Sequence, residues 1–183
     1  MKRIALLGMP NTGKSTLFNR LSGASARVGN WPGITVDLMS AKMLIGGHIA
    51  ELIDLPGIYD LHGFSDDEQV VRHFLSNNHA DLAIIVLNSS QIDRQLSLAL
   101  QIKNLGLPAI LLLNMQDEAK RSGISIDIEA MAQQLGMPVR QISAKYGDGC
   151  PQALQLAAKQ MAEQFNTVSP KDIAKLLEAD VQI

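Results

Sequence analysis

The eight residues Gly8-Met9-Pro10-Asn11-Thr12-Gly13-Lys14-Ser15 constrain this chain more than any other segment. They read G-x-x-x-x-G-K-[ST]. A backbone that wraps a phosphate needs glycine at both ends of such a loop, so that N–H groups can point inward at close range. Lys14 then reaches the β- and γ-phosphates, and Ser15 offers a hydroxyl to Mg²⁺. Gly8, Asn11, Thr12, Gly13 and Thr16 complete the set predicted to line the phosphates. The flanks agree. Arg3-Ile4-Ala5-Leu6-Leu7 is a short apolar run suited to a buried strand, and Thr16 to Leu21 is helix-compatible and ends near Gly23. A helix beginning at the loop adds its dipole to the anion site.

The rest of the chain repeats that alternation. Strands are predicted over Arg3–Gly8, Met39–Ile45, His48–Asp54, Asp81–Asn88, Pro108–Asn114 and Met137–Ile142. Gly46-Gly47 joins the second and third as a hairpin. The runs at Asp81–Asn88 and Pro108–Asn114 are unbroken and apolar, as parallel strands covered on both faces are. Helices are predicted over Lys14–Leu21, Asp66–Ser76, Ile92–Leu105, Asp127–Leu135 and Pro151–Phe165. The pattern implies an α/β fold: a six-stranded, mostly parallel sheet with one antiparallel edge strand and helices on both faces. Gly29–Ile34 and Gly57–Asp67 read as functional loops. From Asn166 the character changes, and Ser169-Pro170 reads as an N-cap followed by proline at the first helical position. The expected division is a domain over 1–165 and a tail over 166–183.

At 183 residues the chain can bury a full core, and its net charge of −2 carries no basic field for nucleic acid. The most apolar stretches are strand-sized, short of the ~20 residues of a membrane-spanning helix. Cys150, the single cysteine, reads as a small residue beginning a helix. His48, His62, His73 and His79 lack metal-ligand spacing, so a metal site built from them is not expected.

The loop alone does not choose a nucleotide; the later motifs do. Asp54-Leu55-Pro56-Gly57 follows a strand, placing Asp54 to hold Mg²⁺ through water and the Gly57 N–H to meet a γ-phosphate. Thr35, between the phosphate loop and Asp54, is placed to close over Mg²⁺ and the γ-phosphate and to release them after hydrolysis. Asn114-Met115-Gln116-Asp117 follows a further strand. A carboxylate at Asp117 accepts two hydrogen bonds from the ring N–H and amino group of guanine, a donor pair adenine lacks. Ser143-Ala144-Lys145 follows the last strand and is expected to offer the Ala144 N–H to the guanine oxygen. The order of these motifs and their places at strand ends point to a GTPase.

Together they resemble the translation-factor-like GTPases, the class containing Ras and Era, from Arg3 to about Phe165. The segment Gly29-Asn30-Trp31-Pro32-Gly33-Ile34-Thr35-Val36 is similar to the first switch of a narrower family, ferrous iron transport protein B (FeoB). Asp54-Leu55-Pro56-Gly57-Ile58-Tyr59, Asp67-Glu68 with Arg72, and Met115 within Asn114-Met115-x-Asp117 also fit it. The resemblance implies a Ras-like GTPase domain, on the cytoplasmic side of the bacterial inner membrane, joined to a membrane-embedded iron permease in the same polypeptide. It implies that the tail begins a helical subdomain that is truncated or absent here. It also bears on catalysis. Ras-like proteins orient water with a glutamine where this chain has Ile58. In the family, asparagine at the position of Asn11 helps bind K⁺, with backbone carbonyls such as those of Gly29 and Trp31 completing the oxygen shell. A fixed cation there stabilises charge developing in the transition state. The acidic trio Asp66, Asp67 and Glu68 reads as helix-dipole partners rather than a catalytic base. The rivals are an Era- or TrmE-like GTPase acting on ribosome or tRNA, and a nucleotide-sensing module that barely hydrolyses.

Overall fold

The computed structural model describes residues 1–181; the last two residues of the predicted tail lie outside the described residues. Its strands are β1 (Lys2–Gly8), β2 (Arg27–Gly29), β3 (Leu38–Ile45), β4 (His48–Asp54), β5 (Leu82–Asn88), β6 (Ala109–Asn114) and β7 (Val139–Gln141). Its helices are α1 (Lys14–Ser22), α2 (Asp66–Asn77), α3 (Ile92–Lys103), α4 (Gln116–Arg121), α5 (Ile128–Leu135), α6 (Cys150–Glu163) and α7 (Pro170–Val181).

The strands form one seven-stranded sheet in the order β2-β3-β4-β1-β5-β6-β7. β4, β1, β5, β6 and β7 run parallel, while β3 is antiparallel to both β4 and β2. The expected count of six strands is corrected to seven, and the antiparallel strand lies one place in from the edge. The additional edge strand β2 is three residues long and mostly exposed, so it carries no alternation to read.

The central strands split their side chains between two cores, as the two-residue period of a strand requires. Ala5, Leu7, Ala83, Ile85, Leu87, Leu111 and Leu113 face one side, where they pack with Phe74 of α2, Leu98 of α3 and Leu135 of α5. Ile4, Leu6, Ile84, Val86, Ile110 and Leu112 face the other, against Leu17 and Phe18 of α1 and Ala153 and Ala157 of α6. Both faces of β1, β5 and β6 are therefore dry, which is why their sequences read as continuous apolar runs. Cys150 opens α6 and is buried, and burial pushes its thiol pKa up.

The segment after Asn166 packs onto the domain. Asn166 Nδ2 donates to the Ala80 carbonyl at 2.5 Å. Ser169 and Asp172 form a reciprocal cap: the Asp172 N–H donates to Ser169 Oγ, and the Ser169 N–H to Asp172 Oδ2, each at 3.1 Å. α7 lies against α2 and buries Ile173 and Leu177 in the same core as Phe74. Two such side chains contribute about 1.5–3 kcal/mol each. In packing terms this helix continues the domain.

Candidate nucleotide-binding site

The parallel strands end together at Gly8, Asp54, Asn88, Asn114 and Gln141, and the loops leaving those ends build the site. The phosphate loop runs from Gly8 to the start of α1. A Cβ on Gly8 would stand 2.5 Å from the Val86 carbonyl of the neighbouring strand, so only glycine fits. Gly13 has φ +79°, and a Cβ there would lie 2.2 Å from Asn114 Nδ2. Asn11 also takes a left-handed backbone, at φ 62°, which asparagine tolerates better than most residues. Thr12 is buried and its hydroxyl donates to the Met9 carbonyl at 2.9 Å. Met9 itself turns its side chain into the core.

Next to this loop the chain leaving β4 is laced to β1. The Leu55 N–H donates to the Leu6 carbonyl at 3.2 Å, and the Ile58 N–H to the Gly8 carbonyl at 2.9 Å. A Cβ on Gly57 would be 3.0 Å from Pro10 backbone atoms, so Gly57 lets the two loops touch. The Lys14 ammonium is paired with the Asp54 carboxylate, both largely buried. A cavity of about 370 Å³ lies over the loop, lined by Asn11, Gly13, Lys14, Ser15, Thr16 and Gly57 among others. Asp67 of α2 reaches its rim. α2 is opened by Ser65, whose Oγ accepts the Glu68 N–H at 3.4 Å, and its first turn carries Asp66, Asp67 and Glu68. This is the arrangement of acidic dipole partners read from the sequence.

The donor set fits Mg²⁺ at one end of this cavity. Ser15 presents an exposed hydroxyl there, and the Asp54 carboxylate is paired with Lys14, which also lines the cavity. Thr35 stands apart: it is exposed in the segment between β2 and β3 and does not line the cavity. Gly29 and Trp31 do not line it either. Gly29 is paired opposite Leu38 in the sheet, and the Trp31 carbonyl accepts the Ile34 N–H at 3.1 Å. The Trp31 ring packs edge-on against Phe74 at 5.4 Å, with the Arg3 guanidinium over it at 5.2 Å. The structure thus brings Asn11 to the phosphate cavity without the carbonyls expected to share a cation with it.

On the far side of Gly13 lies a second cavity, of about 360 Å³, lined by Gly13, Thr16, Asn114, Met115, Asp117, Glu118, Ser143 and Lys145. Gly13 and Thr16 belong to both cavities, so one elongated molecule can span them. Asn114 sits at the junction. Its Nδ2 donates to the Thr12 carbonyl at 2.8 Å, and its Oδ1 accepts the Ala144 N–H at 2.9 Å. One buried amide therefore ties the phosphate loop to the loop after β7. The Ala144 N–H, expected to meet a guanine oxygen, is engaged by Asn114 instead. Met115 has φ 63° and turns the chain so that Asp117 falls in the first turn of α4. The Asp117 carboxylate is held on the cavity wall by Arg121 at 3.3 Å, an exposed i,i+4 pair that contributes little energy. Ser143 Oγ accepts the Tyr146 N–H at 3.3 Å.

Two arginines shape these loops through bonds the sequence did not signal: Arg72, noted above only within the family resemblance, and Arg20. Arg72 Nη1 donates to the Leu61 carbonyl at 2.9 Å and the Gly63 carbonyl at 2.5 Å, holding the loop after Gly57. In the same loop the His62 N–H donates to Asp60 at 2.8 Å and holds that carboxyl below its ordinary pKa. Arg20 donates to carbonyls in the Ser143–Lys145 loop. A helix-surface arginine carries no pattern that reveals such a bond.

Ile58 is 1% exposed and packs in the core with Leu55 and Leu61. It faces away from the phosphate cavity as well as lacking a polar group. Ile58→Gln is therefore expected to bury an amide rather than supply a water-orienting one. The expected result is a loss of about 2–4 kcal/mol in urea unfolding and no gain in GTP hydrolysis.

Among the described residues no helix is long and apolar enough to cross a membrane. The sequence model of the family described as ferrous iron transport protein B matches residues 2–157. The chain is similar to the Fe(2+) transporter FeoB of Synechocystis sp., 53% identical over 163 residues, 89% of this chain but 26% of that protein. The chain thus spans about a quarter of that relative's length. Among solved structures, the cytosolic domain of L. pneumophila FeoB is 39% identical with a TM-score of 0.82, covering 92% of this chain and 66% of that one. A GDP-bound mutant of S. thermophilus NFeoB is 31% identical with a TM-score of 0.84, covering 98% and 83%. These matches favour the iron-transport resemblance over the ribosome- or tRNA-associated alternative. With the sheet order, the stapled loops and the two joined cavities, they establish that this chain belongs to the ferrous iron transport protein B family.

Proposed function

We propose that this chain is a GTP-binding and GTP-hydrolysing regulatory domain of a bacterial ferrous iron transporter. It works on the cytoplasmic side of the inner membrane, beside a membrane-embedded permease portion of the same polypeptide. The observation that carries the reading is the Asn114 staple, which joins a phosphate-binding loop and a base-reading loop whose two cavities share Gly13 and Thr16. The GDP bound to the S. thermophilus relative supports it.

The chain's own residues divide the work. Backbone N–H groups from Gly8 to Thr16 cradle the phosphates. Lys14 leaves Asp54 for the β- and γ-oxygens, a charge-for-charge exchange that keeps a nearly buried ammonium paired. Ser15 and Asp54 are the residues that would hold Mg²⁺, which when bound would supply positive charge beside the phosphoryl oxygens. The Gly57 N–H and Thr35 engage the γ-phosphate, and Thr35 must move from its exposed position to do so. Closure of that loop would also carry the Gly29 and Trp31 carbonyls towards Asn11, making a K⁺ site whose charge compensates for Ile58. No arginine finger is identifiable in the sequence, so turnover is slow.

Two outcomes are expected. Multiple-turnover GTP hydrolysis in Mg²⁺ runs faster in K⁺ than in Na⁺ at matched ionic strength, and Asn11→Ala removes the difference. Equal rates in the two salts would remove K⁺ from the mechanism, and no hydrolysis in either would remove the enzyme. Thr35→Ala leaves GDP affinity within about twofold and weakens a non-hydrolysable triphosphate by roughly tenfold, the size of one lost charge-assisted hydrogen bond. Equal weakening of both nucleotides by calorimetry would show that Thr35 is not a γ-phosphate sensor.

A further inference from the structure

Arg20 lies in the last turn of α1, the helix that begins at the phosphate loop, yet its guanidinium reaches the loop after β7. Nε donates to the Ala144 carbonyl at 2.6 Å and Nη2 to the Lys145 carbonyl at 2.9 Å. A Cβ on Gly147, at φ +87°, would lie 2.9 Å from Nη1, so the guanidinium also rests against bare backbone of that loop. Internally the loop is a turn. The Ser143 N–H donates to the Asp148 carbonyl at 2.8 Å, and the Gly147 N–H to the Ser143 carbonyl at 2.7 Å.

The consequence follows from peptide geometry. Among the described residues every peptide bond is trans, and in a trans peptide the C=O of one residue and the N–H of the next point in opposite directions. With the Ala144 carbonyl held towards Arg20, the Lys145 N–H is turned the other way. Lys145 lines the base cavity and Arg20 does not. The Ala144 N–H is already spent on Asn114 Oδ1, whereas the Lys145 N–H donates to no group among the described residues. The loop therefore offers one aimed backbone donor, and its aim depends on the side chain of a residue 125 positions away.

We propose that Arg20 is a positioning residue for base recognition: by gripping the Ala144 and Lys145 carbonyls it points the Lys145 N–H at the 6-oxygen of a bound guanine. The proposal rests on the guanine-nucleotide reading above. Adenine carries a donor at that position, so a fixed N–H there rejects it as well as welcoming guanine. The grip also couples the two ends of the nucleotide, because α1 starts where the phosphates bind. Arg20 is exposed, so its bonds are worth less than buried ones, and the expected effect is about tenfold in affinity.

Three diphosphates test this on the purified chain by calorimetry. GDP is the reference. IDP keeps the 6-oxygen and loses the amino group that Asp117 would accept. 6-Thio-GDP keeps both donors for Asp117 and replaces the oxygen with a weakly accepting sulfur. In Arg20→Ala, GDP and IDP are expected to weaken by about tenfold each, leaving their ratio unchanged, while 6-thio-GDP changes by less than twofold. Arg20→Lys, which can reach one carbonyl at a time, is expected to recover part of the GDP affinity, and it carries the same comparison if the alanine variant folds poorly. Equal weakening of all three ligands would mean a general loss of site structure and would overturn the proposal, as would unchanged GDP affinity. Failure of the unsubstituted protein to prefer GDP over ADP would instead overturn the guanine reading beneath it.

Discussion

Lys14→Ala is expected to lower GTP hydrolysis by a hundredfold or more and to remove most triphosphate affinity. The Lys14 side chain is 9% exposed and its ammonium is paired with Asp54, so its charge acts through a medium far less screening than water. A triphosphate that displaces Asp54 gains that charge at the bridging oxygens, where negative charge builds as the phosphoryl group leaves. Removing one donor aimed at such a developing charge costs on the order of 10²–10³ in rate. Alanine also removes the ammonium paired with the Asp54 carboxylate. Single-turnover hydrolysis and analogue binding measured on the same preparation separate the two losses. A rate within tenfold of the unsubstituted protein would show that the phosphates do not sit on this loop.

Asp117→Asn is expected to invert the base preference. The carboxylate lines the base cavity from the first turn of α4 and is an acceptor only. Guanine presents a ring N–H and an amino group there. Asparagine puts a donor opposite one of them, and guanine affinity should fall by on the order of 10²–10⁴, the range for two charge-assisted hydrogen bonds. Xanthine carries a carbonyl in place of the amino group and should bind the variant better than guanine does. The fold should tolerate the change, because the pair lost, Asp117 with Arg121, is exposed. Xanthosine and guanosine diphosphates titrated against both proteins check this. Parallel weakening of both bases would place Asp117 outside the base contact.

The sequence was most legible where physics leaves one option. β1, β5 and β6 are covered on both faces, so their central positions are all apolar and the run announces itself. Gly8 and Gly13 sit where a Cβ would meet the Val86 carbonyl or the Asn114 amide, and a pattern requiring glycine at those spacings is hard to satisfy otherwise. β2 was illegible because three exposed edge residues have no periodicity. α4 was illegible because it is six residues long, largely surface, and follows a left-handed turn at Met115 that no pattern signals. The cap of α7 could be read from Ser169-Pro170, but its seat on α2 could not, because Ile173 and Leu177 do not say which surface they cover.

Within the site, residues were legible and their pairings were not. Asn114 was identified from its spacing to Asp117, yet its function as a staple between Thr12 and Ala144 needs three segments brought together by the fold. For the same reason the Ala144 N–H looked available in sequence and is engaged in the structure. Thr35 could be placed by its position between two motifs, but its distance from the cavity reflects a loop conformation, which a motif does not encode.

The central claim is that the two adjoining cavities hold one guanine nucleotide, its phosphates in the first and its base in the second. Calorimetric titration of the purified chain with GDP, GTP and ATP in Mg²⁺ tests it most directly. The account predicts saturable one-to-one binding of GDP and GTP, with ATP weaker by at least a hundredfold because the Asp117 carboxylate finds no donor pair on adenine. Equal affinity for ATP and GTP, or no binding of any of the three, would contradict it.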